Sequence, residues 1–200
     1  SQGCRPIGKP AVVTRVEQNV IYELGGQSAM EVLHEVYAQC SPTDQSLIHH
    51  GLHVGYVVDE MLEDFGAGDF LIRNIIGVTQ DGGLVVTDMI FPGQTVQFHV
   101  RDSHSATGEL ESLLESVISG NQNRPCGGLM FNCNGRGTRM FDSPHHDVRI
   151  FNSKIADCPL AGFFAQGEIG RVGGRTFLHG FTSSVILFRG KDYPHTGEGS

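Results

Sequence analysis

One strand–helix–strand pattern, in residues 128–170, constrains the fold more than any other part of the sequence. Residues 129–131 (Leu-Met-Phe) form a short apolar run without alternation, which is typical of a central strand covered on both faces. Ser143-Pro144 predicts the start of a helix, and a second apolar run, 160–164, follows that helix. The pattern predicts a βαβ unit with parallel strands and a right-handed crossover. The helix is predicted to face inward through Val148, Phe151 and Ile155.

Polar side chains follow both strands of this unit. The loop after the first strand holds three candidate site residues, Cys133, Asn134 and Arg136. Because the carboxyl ends of parallel strands emerge at the same edge of a sheet, we expect these residues to lie close to Glu168, which follows the second strand. A final strand, predicted over 175–189, should bring Phe177 and His179 back beside Glu168.

The rest of the chain alternates between predicted strands and helices. Strand-like segments bounded by turn residues are 11–16, 19–24, 53–59, 69–79, 84–90 and 95–101. The last of these alternates apolar and polar residues, so it is predicted to be half buried. Helices are predicted from the capping-box pair Ser28 and Glu31, from Ser41-Pro42, and over 105–120. The chain is therefore predicted to be an α/β protein, of mixed α+β character, with a mixed β-sheet, a C-terminal βαβ unit and flanking helices.

The charge balance and hydropathy exclude two classes of partner. Fourteen Lys and Arg residues against 22 Asp and Glu give a net charge of −8 and no basic run, which argues against nucleic acid. No tract of 18 apolar residues is present, so no membrane-spanning segment is predicted. The chain is also predicted to lack a secretory leader, and its start at Ser1 instead of Met indicates a fragment or a processed form.

The five cysteines form an odd set without any C-x-x-C spacing. A chain of 200 residues buries enough surface to fold without disulfides. We therefore predict five reduced thiols and an intracellular, reducing compartment, either the cytoplasm or a plastid.

Three features bear chemistry, and each has a plain structural alternative. The Gly-Arg-Gly turn at 135–137 either recognises a carboxylate or phosphate through Arg136 or is a surface turn. Cys133 is either a reactive thiol or a buried inert one, and Glu168 either binds a ligand or is structural. Adjacent histidines on a helix point in different directions and H-E-x-x-H is absent, so no metal site and no cofactor are predicted.

Several separated motifs carry a resemblance to a known family. The principal ones are 129–137 (LMFNCNGRG), 159–170 (PLAGFFAQGEIG) and 178–182 (LHGFT). Upstream matches are 3–8, 68–74, 92–94 and 99–102. Together they resemble the C-terminal half of the FIST domain over roughly residues 3–189, in its cyanobacterial and plant-like branch.

The resemblance implies a sensory or adaptor domain that binds small ligands such as amino acids, beside signalling modules in bacteria and in F-box proteins of eukaryotes. It also implies three parts. Residues 1–25 are predicted to be the trailing strands of a preceding FIST N-terminal half, 26–190 the FIST C-terminal domain, and 191–200 a flexible tail.

We accordingly predict a non-catalytic sensor of an amino-acid-like ligand that also has a protein partner. Candidate clamps for a carboxylate are Arg73, Arg101 and Arg136, with Glu168 as the partner of an amine. Candidate apolar walls are Phe164 and Phe177, and the neighbouring candidates are Cys133, Asn134 and His179. Two alternatives stay open: a structural or adaptor subunit of a larger plastid or F-box-type assembly, and a Cys133-dependent enzyme.

Overall fold

A computed structural model describes residues 1–120 and 124–190. Its strands and helices, in chain order, are β1 (Cys4–Glu17), β2 (Val20–Leu24), β3 (Gln27–Ser28), α1 (Ala29–Gln39), α2 (Pro42–His50), β4 (Leu52–Val57), β5 (Phe70–Val78), β6 (Leu84–Val86), β7 (Thr95–Arg101), α3 (Ser103–Ser119), β8 (Pro125–Cys133), α4 (His146–Lys154), β9 (Leu160–Ala165), β10 (Glu168–Val172), β11 (Arg175–His179) and β12 (Ser183–Arg189). The predicted mixture of helices and strands is confirmed. The tail predicted at 191–200 lies outside the described residues.

The strands of the N-terminal half pair antiparallel and close into a ring. β1 is long enough to pair with β7 through its first part and with β2 through its second part. The ring continues from β7 through β4, β5 and β6 back to β2, and β3 extends it beyond β2. Residues 1–25 thus supply β1 and β2, two strands of this ring, while the predicted division of the chain at residue 25 stays a prediction.

An apolar core fills the ring. It includes Val54, Leu84, Val86 and Val100, and α1 and α2 cover it with further apolar side chains. The prediction that β7 is half buried is wrong, because its polar face is buried too. On that face His99 contacts the ring of Phe70, with 5.1 Å between ring centroids.

A second, three-stranded sheet has the order β12-β8-β9. β8 and β9 are parallel and joined by α4, which confirms the predicted βαβ unit, and β12 is antiparallel to β8. At Gly162 the two parallel strands approach so closely that a Cβ atom would lie 1.8 Å from the carbonyl oxygen of Met130, so only glycine fits.

Helices cover one face of this sheet. α3 and α4 pack on it, and the buried contacts include Leu110, Leu114, Met130 and Phe151. On the opposite face Phe163 is 64% exposed, so the expectation of cover on both faces holds for one side only.

Two predicted element boundaries are corrected. α4 begins at His146 and not at Ser143-Pro144, because His145 adopts a left-handed conformation (φ 59°) just before it. The single strand predicted over 175–189 is two strands, β11 and β12, separated where Phe181 has a positive φ of 65°.

Two predicted side-chain roles in helices are also corrected. Ser28 makes no capping hydrogen bond to α1, whereas Ser41 does cap α2 by accepting from the Asp44 amide. Val148 does not face inward; it is exposed, and Ile150 is buried in its place.

All five cysteines are free thiols in the structure. Within residues 1–120 and 124–190, no helix combines the length and the hydropathy needed to span a bilayer.

Candidate functional site

Arg136 and Asp147 form a buried ion pair beside the βαβ unit. Arg136 Nε and Nη2 donate to Asp147 Oδ2 and Oδ1 at 2.7 and 2.8 Å. The two side chains are 0% and 3% exposed. The turn after β8 positions Arg136 and the first turn of α4 positions Asp147, so this two-point contact fixes the turn to the helix.

Asp147 accepts from two further neighbours. Asn132 Nδ2 donates to Oδ2 at 3.0 Å, and His146 Nδ1 lies 3.1 Å from Oδ1. Burial would raise the pKa of Asp147, but the hydrogen bonds and the charge of Arg136 outweigh burial and hold that pKa below its ordinary value. A carboxylate with this many partners has little capacity left for a ligand.

Glu168, at the start of β10, is a second buried carboxyl group. Its Oε2 accepts from the amide and the hydroxyl of Thr182 at 3.2 and 2.9 Å. Burial raises the pKa of Glu168, more than the Thr182 hydrogen bonds and the nearby Cys133 thiol lower it. The ends of β8 and β9 therefore bring Cys133 and Glu168 together, as the βαβ geometry predicts.

Arg101 links these residues to the ring. Its Nη2 donates to the carbonyl oxygen of Gly135 at 2.9 Å, and its guanidinium lies 4.1 Å from the centre of the Phe181 ring. Burial lowers the pKa of Arg101, and the positive charge of Arg136 acts in the same direction. Because Arg101 ends β7, it joins the N-terminal ring to the turn that holds Arg136.

Buried polar atoms without a protein partner are concentrated here. They are Arg101 Nε, Asn132 Oδ1, Arg136 Nη1, Glu168 Oε1, His179 Nδ1 and Ser183 Oγ. Among the described residues, one further such atom, His99 Nε2, lies on β7. Since native proteins pair nearly all buried polar groups, this concentration makes the region a candidate functional site.

A pocket of about 400 Å³, which we call the β9 pocket, opens next to the ion pair. Its lining residues are Met130, Asn132, Gly137, His145, His146, Asp147, Val148, Leu160, Ala161, Gly162, Phe163 and Phe164. Asn132 lines the pocket, and its Oδ1 is a buried acceptor without a protein partner, whereas both nitrogens of His146 are already engaged, by Asp147 and Thr107. The pocket thus combines aromatic and aliphatic walls with a wall residue, Asn132, whose hydrogen-bonding capacity is not fully used.

The structure brings together some of the nine predicted site residues and separates others. Five of them lie around the buried polar atoms that have no partner: Arg101, Cys133, Arg136, Glu168 and His179. Phe164 lies instead on the wall of the β9 pocket.

The other three predicted residues have different surroundings. Arg73 forms an ion pair with Asp88 at 2.6 Å. Burial is the main cause that lowers the pKa of His179, and the positive charge of Arg73 also lowers it. Asn134 is exposed, and Phe177 packs under Arg175. The expected set of three free guanidinium clamps is therefore not formed, because Arg136 and Arg73 both have carboxylate partners.

Three site residues escaped the sequence reasoning: Asn132, His146 and Asp147. Alternation along β8 was the signal for Asn132, because it shares a face with buried Met130. An acid in the first turn of α4 was the signal for Asp147, but first-turn acids usually face solvent.

The histidines do not assemble into a metal centre in the part of the chain that the structure describes. No group of three or more His, Cys, Asp or Glu side chains there is arranged to hold an ion.

Comparison with curated proteins finds mycobacterial relatives. The chain is 46% identical over 189 residues to the uncharacterized protein Rv0628c of Mycobacterium tuberculosis, and 44% identical over the same length to the uncharacterized protein Mb0898c of Mycobacterium bovis. Each match covers 94% of this chain and 49% of the relative, so the chain spans about half the length of these proteins. They give no support to the predicted cyanobacterial and plant-like branch. No solved structure gives a significant match.

Comparison with protein families finds two matches. Residues 1–27 match the FIST N domain, and residues 29–171 match the FIST C domain. FIST domains are generally described as small-ligand-binding sensory domains of signal-transduction proteins. Since the second match covers most of the chain, this protein belongs to the FIST C domain family.

Proposed function

We propose that this chain is the ligand-binding, non-catalytic half of an intracellular sensor and that its ligand, an amino-acid-like molecule, binds in the β9 pocket. The observation that carries the proposal is Asn132 Oδ1, a buried acceptor without a partner in the wall of a pocket of about 400 Å³. That volume suits a ligand with one small apolar group.

The pocket offers a complementary surface to each part of such a ligand. An ammonium group would donate to Asn132 Oδ1 once a small side-chain movement uncovers that buried atom, and the apolar group would lie against Leu160 and Phe164. His145 stands exposed at the rim, where an imidazole can donate to a carboxylate. This assignment moves the carboxylate contact away from Arg136, whose fork is already held by Asp147.

A polar path connects the pocket with the ring, which suits a sensor. Asn132 contacts Asp147, Asp147 holds Arg136, and Arg136 lies near Arg101 at the end of β7. A ligand that repositions Asn132 would act on the turn that Arg101 contacts.

The non-catalytic assignment rests on access to Cys133, the thiol beside Glu168. Cys133 is 7% exposed, and its sulfur accepts from the Gly135 amide at 3.3 Å. A nucleophilic thiol needs an approach path for its substrate, and this one is covered. The five free cysteines support a reducing, intracellular compartment.

Calorimetry and thermal unfolding with a panel of free amino acids test the proposal, on the full-length protein. We expect at least one apolar member to bind and to raise the melting temperature by mass action. Asn132→Ala and Phe164→Ala should each weaken binding by about tenfold or more. Phe91→Ala is the matched control, because Phe91 is as exposed as Phe164 but lies outside the pocket.

Derivatives of the best ligand identify the group that Asn132 recognises. An N-acetyl derivative, which lacks the ammonium, should lose binding to the wild type. If no amino acid binds, or if Asn132→Ala binds as tightly as the wild type, the ligand proposal fails. A protein partner that then raises the melting temperature alone would establish the adaptor function instead.

A further inference from the structure

β12 has one edge without a strand partner in the described part of the chain. It pairs with β8 along its other edge, and residues of β12, α3 and β10 line one groove beside it. A groove of about 510 Å³ runs there. Its apolar walls are Leu110, Leu113, Leu114, Val185 and Leu187. An open edge presents backbone N–H and C=O groups that can accept one more strand.

Ser1 already occupies one end of this edge. The Ser1 nitrogen donates to the carbonyl oxygen of Ser183 at 2.9 Å, and the Ser183 amide donates to the carbonyl oxygen of Ser1 at 2.8 Å. Two residues that exchange both bonds are a hydrogen-bonded pair of antiparallel strands. A backbone amide at position 1 of a longer chain makes the same two bonds.

This pair fixes the direction and the register of any strand that continues from Ser1. The residue two positions before Ser1 would face Val185, and the residue four positions before would face Leu187. Val185 and Leu187 both pack toward the apolar cluster on α3. The facing residues of the added strand would therefore contact the same apolar surface.

We propose that, in full-length FIST proteins, the residues directly before Ser1 form a strand that adds antiparallel to β12 and covers this groove. The occupant is the segment of the FIST N domain that directly precedes Ser1 in the same chain. Residues 1–27 already match that domain, and the relatives are about twice as long as the region that this chain matches. The added strand would turn the three-stranded sheet into a four-stranded one that spans both FIST halves.

The groove's far end limits the length of this strand. Arg189 Nη2 donates to the carbonyl oxygen of Val117 at 2.9 Å and so bridges from β12 to the end of α3. Between Ser183 and Arg189 the edge offers room for about four to six added residues.

A designed disulfide in the full-length protein tests the register. In this pairing Ser184 lies opposite the residue immediately before Ser1, in a non-hydrogen-bonded pair with Cα atoms about 4.5 Å apart, within disulfide range. Ser184→Cys, combined with a cysteine at that preceding residue, should cross-link in the native protein under mild oxidation. The matched control pairs the same upstream cysteine with Ile186→Cys, two residues farther along β12.

Mass-spectrometric peptide mapping measures both cross-links. We expect the Ser184→Cys product to exceed the Ile186→Cys product by about tenfold or more, because a disulfide tolerates little extra separation. Equal yields of the two products, or none of the first in folded protein, would overturn the proposal.

Hydrogen exchange of the unmodified full-length protein gives an independent readout. The amides of Val185 and Leu187 face the open edge, whereas those of Ser184 and Ile186 face β8. With the added strand, all four should exchange within about tenfold of one another. If Val185 and Leu187 exchange about a hundredfold faster than their neighbours, the edge is open and the proposal is wrong.

Discussion

The N-terminal ring and the C-terminal sheet bury different chemistry. The core of the ring is apolar, and its buried titratable side chains include two histidines, His53 and His99. Beside the C-terminal sheet, a charged pair and a second carboxyl group are buried instead. Burying a charged group costs free energy, whereas burying an apolar side chain stabilises the fold. The composition of the ring therefore favours stability, while the C-terminal half accepts the cost of buried charge at the candidate site.

Each half contains an Arg–Asp ion pair, Arg73–Asp88 in the ring and Arg136–Asp147 in the C-terminal half. Removing the aspartate of each pair should give the largest difference in stability between the halves. Asp147→Ala leaves Arg136 charged and buried, so we expect it to lower the free energy of unfolding by about 3–5 kcal/mol. Asp88→Ala in the ring leaves Arg73 partly exposed to water, and we expect a loss of about 1 kcal/mol or less. Urea unfolding of both variants measures the difference.

Replacing both partners separates the cost of an unpaired charge from the value of the pair. Arg136→Met with Asp147→Leu should recover part of the stability lost in Asp147→Ala, because two apolar side chains need no partner. Equal losses in the Asp147→Ala and Asp88→Ala variants would remove the contrast between the halves.

Much of the fold followed from the sequence, because its strongest signals are local. The apolar runs of β8 and β9, with the helix between them, specified a βαβ unit that the structure contains. The closed ring was beyond local patterns, because it depends on one strand, β1, pairing with β7 through residues 4–12 and with β2 through residues 13–17. The break at Phe181 was also hidden, because it needs a positive φ at a residue whose type gives no such signal.

Acid should destabilise the ring through its histidines. Burial lowers the pKa of His99 to about 4, below an unfolded value near 6.5, so the folded state favours the neutral imidazole. The resulting stability is present above about pH 6.5 and is lost as the pH falls toward 4. At about 1.4 kcal/mol per unit, His99 accounts for roughly 2–3 kcal/mol of that loss.

The variant His99→Gln isolates this contribution. Whatever its stability at neutral pH, its unfolding free energy should fall less than that of the wild type between pH 6.5 and 4. His50→Gln, at an exposed imidazole, is the control for replacing a histidine as such. A His99→Gln profile parallel to the wild type would contradict the prediction.

Glu168 should give the C-terminal half a smaller pH dependence of the opposite sign. Because burial raises its folded pKa above the unfolded value, its contribution to stability is complete below about pH 4.5 and is lost as the pH rises through the folded pKa. Glu168→Gln keeps the shape of the side chain without its charge. Its free energy of unfolding should therefore rise relative to that of the wild type as the pH rises. Urea midpoints of the two proteins across this range measure the gain, and a constant difference would refute it.

The candidate site was predicted less completely than the fold, for a physical reason. Sequence spacing placed Cys133 and Glu168 at one sheet edge, and the structure brings them together. Spacing could not show that Arg136 is held by Asp147, since that contact depends on where α4 begins. The positive charge of Arg136 therefore led to the prediction that it binds a ligand carboxylate, although most of its hydrogen-bonding capacity is used within the protein.

The smallest contrast comes from one hydroxyl in each half. Thr182→Val removes the Oγ1 donor to Glu168, a buried hydrogen bond, and should cost about 1.5 kcal/mol. Tyr56→Phe removes the hydroxyl donor to Asp88 in the ring, where water can take its place, and should cost about 0.5 kcal/mol. The Thr182 hydroxyl also stabilises the ionised form of Glu168, so its loss should raise the pKa of that carboxyl further. Thr182→Val should therefore lower the free energy of unfolding more at pH 7 than at pH 4.5. Tyr56→Phe should show no such increase. If the cost of Thr182→Val is the same at both pH values, the Thr182 hydroxyl does not affect the ionisation of Glu168, and the prediction is wrong.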